Sequence, residues 1–126
     1  MRKGVTLDAG GLLALERNDR VVVALLSRVA ALRARITVPA TALAQAIRQP
    51  ARQARLSLLL QQPTTDVVPL GGPDATSVGM LLAATRTADI VDAHVVICAR
   101  RAGQPIVTSD PDDLHRLDPA ASLVTV

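Results

Sequence analysis

At roughly 100–200 residues per domain, a chain of 126 residues is one domain spanning 1–126, with no room for a second. Apolar residues make up 49% of it and charged residues 20%, which suits a buried core and excludes disorder, yet Phe, Tyr and Trp are all absent. The core must therefore come from Leu, Val, Ile and Ala, bases cannot be gripped by stacking on aromatic rings, and a net charge of +3 permits a polyanionic partner without requiring one.

In chain order, Val5-Thr6-Leu7 is a short apolar strand stopped by Asp8. Helical spacing follows through Leu12, Leu13 and Leu15 and again from Val21 to Leu32, with a break at Asn18-Asp19. Ile36-Thr37-Val38 is a second strand ended by Pro39, after which Leu43 and Ile47 share a helix face and a further helix spans Ala51 to Leu60. Asp66 to Leu70 is a third strand, and the turn Gly71-Gly72-Pro73 opens a helix from about Asp74 to Thr85. Asp89 caps a helix from Ile90 to Ala102 that Gly103 closes. Gln104 to Thr108 is a fourth strand, Asp110-Pro111-Asp112-Asp113 starts a short helix, and Leu123 to Val126 forms a fifth strand. Short apolar strands alternating with helices predict an α/β fold: a mostly parallel central sheet of four to five strands flanked by helices. Ligands of such sheets collect beyond the carboxyl ends of the strands.

Ten of the eleven acidic residues are Asp, Glu16 being the exception, and thirteen of the fourteen basic residues are Arg, Lys3 being the exception. Asp is a poor helix former, so ten of them in a helix-rich chain ask for a reason. Asp8 follows the first strand, Asp110 follows the fourth, and Asp92 lies in the first turn of the helix feeding the fourth. If the first and fourth strands are neighbours, these carboxylates converge. Like charges gathered together call for a cation or a shared proton, and oxygen-only ligation suits a hard ion such as Mg²⁺. Taken singly, each has a plainer role: Asp8 as a turn residue, Asp110 before Pro111 as a helix N-cap, Asp89 with Asp92 as a capping pair. Asp112 and Asp113 favour a helix dipole, with Asp113 within reach of the site, and Asp19, Asp66, Asp74 and Asp118 read as turn or cap residues.

Other candidates carry less chemistry. His94 and His115 read as structural or solvent-facing, with His115 in a polar turn, and Cys98 packs among Val95, Val96 and Ile97 with no His to activate it. Gly10-Gly11 and Gly71-Gly72 lack a phosphate-loop fingerprint and read as turns. Arg48, Arg52 and Arg55, and Arg86, Arg100 and Arg101, are solvated helix faces by default; should they ring the acids, they would hold phosphates without reading sequence. The lone cysteine excludes a disulfide framework and points to a reducing compartment. Asp8 and Glu16 interrupt any N-terminal leader, and no charge-free apolar run approaches the ~18 residues of a membrane span, so a cytoplasmic protein without membrane contact is expected.

Val5 to Leu13, Val91-Asp92-Ala93-His94-Val95-Val96 and Ile106 to Leu114 resemble the motifs of PIN domains, and the likeness covers essentially the whole chain, nearest to the small bacterial VapC-type toxins. The resemblance implies a Mg²⁺- or Mn²⁺-dependent endoribonuclease, usually a homodimer, neutralised by a cognate antitoxin. Its first, third and fourth acids fall on Asp8, Asp92 and Asp110, with Thr108 or Ser109 as the nearby hydroxyl. Its second acid, normally Glu, falls on Gln45. An amide keeps one ligand oxygen but loses a charge and the ability to take a proton. Two arrangements accommodate Gln45: Asp89, one turn before Asp92, supplies the missing charge, or the site holds a single outer-sphere Mg²⁺. Arg48, Arg52 and Arg86 are the candidate RNA contacts. The competing reading is an RNA- or antitoxin-binding module with weakened or lost nuclease activity, and a phosphoacceptor domain is disfavoured because the only Lys is Lys3.

Overall fold

A computed structural model describes residues 3–126. Five parallel strands form one sheet in the order β3-β2-β1-β4-β5: β1 (Val5–Leu7), β2 (Ile36–Pro39), β3 (Thr65–Val68), β4 (Ile106–Thr108) and β5 (Leu123–Thr125). Seven α-helices connect them: α1 (Ala9–Glu16), α2 (Arg20–Ala31), α3 (Ala40–Ala46), α4 (Ala54–Gln61), α5 (Gly72–Thr85), α6 (Ile90–Ala102) and α7 (Pro111–Leu117). The central strands β1, β2 and β4 are buried along their whole length, as parallel strands covered on both faces must be. The core is aliphatic, with Val5, Leu7, Leu12, Val38, Val95, Val107 and Leu114 among its most enclosed members. Helix α1 contacts α2 and α4, while α6 contacts α5 and α7; α3 touches both α1 and α6.

The edges differ from the centre. β3 pairs Thr65 to Val68 with Ile36 to Pro39 and stops there, two residues short of the expected Leu70, because Pro69 has no N–H to continue a ladder. Asp66 lies in this strand, as the expected span 66–70 has it, and not at a turn or cap; it pairs with Arg35, and charge on an edge strand discourages pairing with another chain.

Three helices depart from their expected form. The face of α3 that is buried is Ala42 and Ala46; Leu43 is half-buried, and Ile47 lies past the helix end and is exposed. The helix expected over 51–60 is two pieces, a 3₁₀ turn at Pro50–Arg52 and then α4, separated at Gln53 (φ −110°, ψ 55°). Helix α5 starts at Gly72, with Pro73 inside its first turn where a missing N–H costs nothing. His115 sits in α7, not in a turn, though it is exposed as expected.

Two polar side chains, Gln53 buried and Glu16 half-buried, stitch these segments. Gln53 accepts from the N–H groups of Arg48 (3.0 Å) and Gln49 (3.2 Å) and donates to the Ala46 carbonyl (2.9 Å), fixing the loop that carries Arg48. Glu16 accepts from Leu56 N–H at 2.9 Å, supplying from α1 the cap that α4 lacks at Gln53.

Candidate active site at the carboxyl ends of β1 and β4

The strand order reverses between β1 and β4, which pair directly (Thr6 with Ile106, Leu7 with Val107). At such a switch point the two following loops diverge to opposite sides and leave a crevice. Asp8 follows β1, and Ser109 and Asp110 follow β4 at the same end. The condition for convergence is therefore met: Asp8, Gln45, Arg48, Asp89, Asp92, Ser109, Asp110 and Asp113 all line one open cavity of about 410 Å³.

Each carboxylate is held differently. Asp8 is buried and caps α1, its Oδ1 accepting from Gly11 N–H at 2.7 Å, so its plainer role and its place in the cavity coexist. Burial holds its carboxyl above the usual range, outweighing hydrogen bonds from Thr108 and Gly11; Asp110 adds to the rise. Thr108 is buried, hydrogen-bonds Asp8 and accepts Asp110 N–H at 2.9 Å, tying these two residues through one hydroxyl. Asp110 begins α7, but its side chain makes no cap hydrogen bond and faces the cavity instead. Asp89 caps α6 by accepting from Asp92 N–H at 2.9 Å, as expected. Asp92 is half-buried, and its carboxyl is pushed up to about 7, by burial first and then by the charges of Asp89, Asp8, Asp113 and Asp110. Asp113 is raised by a hydrogen bond and charge from Asp110, which places it in the site and not only on a helix dipole.

Among the described residues, no three Asp, Glu, His or Cys side chains are drawn together as a ligand shell. The acids share a cavity wall without closing on a point. Their chemistry nevertheless fits a hard divalent cation: every donor is oxygen, and the carboxylates raise one another in a way that a cation would relieve. Gln45 stands on the α3 side of the cavity, where it offers an oxygen but no charge.

Of the candidate phosphate contacts, only Arg48 lines the acid cavity. Arg52 is exposed on the 3₁₀ turn, and Arg86, at φ 55°, closes α5 outside it. Asp74 and Asp118 pair with Arg101 and Arg100, away from the acids, and Asp19 caps α2. His94 is fully buried, its Nδ1 2.7 Å from Thr41 Oγ1, which links α6 to α3. Cys98 is buried and its thiol is pushed up to about 11, which keeps it unreactive at neutral pH.

The sequence reading missed two contributors. Gly10 and Gly11 belong to α1, not to a turn. A Cβ on Gly11 would lie 2.6 Å from the Val107 carbonyl oxygen, which is backbone, whereas one on Gly10 would lie 2.1 Å from Ser109 Oγ, which can rotate; Gly11 above all lets α1 approach β4 closely enough to bring Asp8 beside Asp110. The signal available was the adjacency of the glycines to a strand-terminal Asp. The second is Arg116, which pairs with Asp113 at 3.0 Å and lines the neighbouring cavity; nothing in its local sequence marked it.

The PIN domain family model matches residues 5–119, and the chain belongs to that family. Among solved structures, FitAcB from Neisseria gonorrhoeae superposes with a TM-score of 0.68 at 15% identity, covering 96% of each chain. VapBC2 from Rickettsia felis, bound to a DNA fragment from its promoter, gives 0.66 at 14% identity over 96% of this chain and 97% of that one. At these identities the likeness is one of fold. No curated protein matches the chain by sequence.

Proposed function

We propose that this PIN domain is a divalent-metal-dependent endoribonuclease of the VapC toxin type, acting on RNA phosphodiesters. The observation that carries the reading is the cavity at the β1/β4 switch point, walled by Asp8, Asp89, Asp92, Asp110 and Asp113 and reached by Arg48. Asp8, Asp92 and Asp110 would hold Mg²⁺ or Mn²⁺ directly or through water, with Gln45 completing the wall. When bound, such an ion supplies Lewis acidity and a water polarised for attack on phosphorus. The chain's own residues do the rest. Thr108 fixes Asp8 relative to Asp110, Ser109 orients water at the mouth, and Arg48 holds the phosphodiester against the acids. Arg52 and Arg86 would serve only longer RNA, as outlying phosphate contacts.

Purified protein should cleave RNA with Mg²⁺ or Mn²⁺ and stop with EDTA. Asp8→Asn retains an oxygen to cap α1 and so keeps the fold, but should lower cleavage at least 100-fold. Equal cleavage by the variant would exclude this site. A cognate antitoxin, a homodimer and a cytoplasmic location complete the proposal; no helix among the described residues is long and apolar enough to cross a membrane.

A second reading, a binding module of weak or no activity, is favoured by one observation: the neutral Gln45 stands in the acid wall.

A further inference from the structure

The acid cavity does not stand alone. A second cavity of about 250 Å³ shares Asp89, Asp92 and Asp113 with it and is otherwise lined by Thr87, Ala88, Arg116 and Leu117. The three shared carboxylates line both spaces, and each space has one arginine of its own: Arg48 from the loop after α3 in the first, Arg116 from α7 in the second. Both guanidiniums are held in ways a phosphate can replace. Arg116 is 69% exposed and pairs with Asp113 one helical turn away, a pairing worth little in water. Arg48 is exposed, and its Nη1 rests on the carbonyls of Ala44 (3.3 Å) and Ile47 (2.9 Å).

A polyanion is repelled by a wall of Asp, so its binding needs positive charge on each side of the position where it crosses. With no aromatic residue in the chain to stack a base, phosphate contacts must carry the grip. We propose that a single RNA strand crosses the shared carboxylates from one cavity into the other, Arg48 holding a phosphate on one side of the scissile bond and Arg116 a phosphate on the other. This deepens the nuclease reading and rests on it. Arg116 exchanges Asp113 for phosphate as the strand enters. The small side chains of Thr87 and Ala88 leave the second cavity open to a nucleoside.

The test uses a random-sequence single-stranded oligoribonucleotide for binding, and RNAs truncated from either end of a cleavage site mapped with the wild-type protein. Arg48→Gln and Arg116→Gln should each make the dependence of log affinity on log salt shallower by about 0.7, the value for one phosphate on a single strand. Arg116→Lys should restore it, and the same charge change at Arg28, on α2 and outside both cavities, should leave it unaltered. Each Gln variant should raise KM several-fold with kcat little changed, and truncation should abolish the two effects from opposite ends of the RNA. An unchanged salt slope and KM in Arg116→Gln would overturn the strand path while leaving the nuclease reading intact, as would loss of both effects by truncation at the same end. Binding without cleavage, with both slopes reduced, would support the path and overturn the nuclease reading. A wild-type protein that neither binds nor cuts single-stranded RNA would overturn both.

Discussion

Asp92 is where burial and like charge act in one direction. Folding moves its carboxyl from the ordinary 3.8 to about 7, so the folded chain holds a proton that the unfolded chain releases. Stability from this group is fully present below about pH 4 and is lost as pH rises through about 7. Asp8, raised by burial, acts with the same sign. In EDTA, the protein should therefore melt lower at pH 8 than at pH 5. Asp92→Asn should recover roughly 1–2 kcal/mol at pH 8, a modest amount because the group is half-exposed and screened by solvent. Equal melting shifts at both pH values would exclude the titration of Asp92 as the cause. Gln45 is the complementary case, a position where charge is missing. Gln45→Glu adds a sixth carboxylate to a wall that lacks a closed ligand set, and should tighten metal binding about tenfold by calorimetry. A large gain in cleavage would mark the wild type as a weakened enzyme; cleavage unchanged in an already active protein would mean that Asp89 or another group in the wall suffices.

At the scale of elements, the site depends on how closely α1 lies against β4. Gly11→Ala places a methyl 2.6 Å from a backbone carbonyl that cannot rotate away. Overpacking of this kind costs about 1–3 kcal/mol, and here relief comes by lifting α1, which carries Asp8 away from Asp110. The expected result is a lower melting temperature together with lost cleavage, and the stability loss is read by urea unfolding. The element register was legible where local signals agree. Asp89 capping α6 and Gly103 closing it in the left-handed region (φ 64°) follow directly from residue type. The split at Gln53 was not legible, because the hydrogen bonds that favour it reach back to Ala46, Arg48 and Gln49, and periodicity sees no such tie.

At the scale of the whole molecule, α5 packs against α6 and α7 yet leaves much of its apolar surface uncovered. α5 runs fourteen residues with only Val78 buried, and Met80 is 69% exposed, with Ile90 close behind in sequence and 52% exposed. An apolar helix so open to water fits the proposed homodimer. Met80→Glu should shift the protein toward monomer in sedimentation equilibrium with its circular dichroism unchanged; a wild type that is already monomeric would dispose of this interface.

What the sequence determined by itself was the alternation of short apolar strands with capped helices, and with it a parallel sheet, because hydrophobic period and capping residues are local properties. The position of Asp8, Asp92 and Asp110 after or before their strands was equally local. Only the tertiary structure decided that β1 and β4 adjoin, that Asp113 and Arg116 reach the acids while Arg52 and Arg86 do not, and that Gly10 and Gly11 are packing residues. Those outcomes depend on which surfaces meet across dozens of residues, and the energies that choose them, close approach of backbones and repulsion among gathered carboxylates, exist only once the chain has folded.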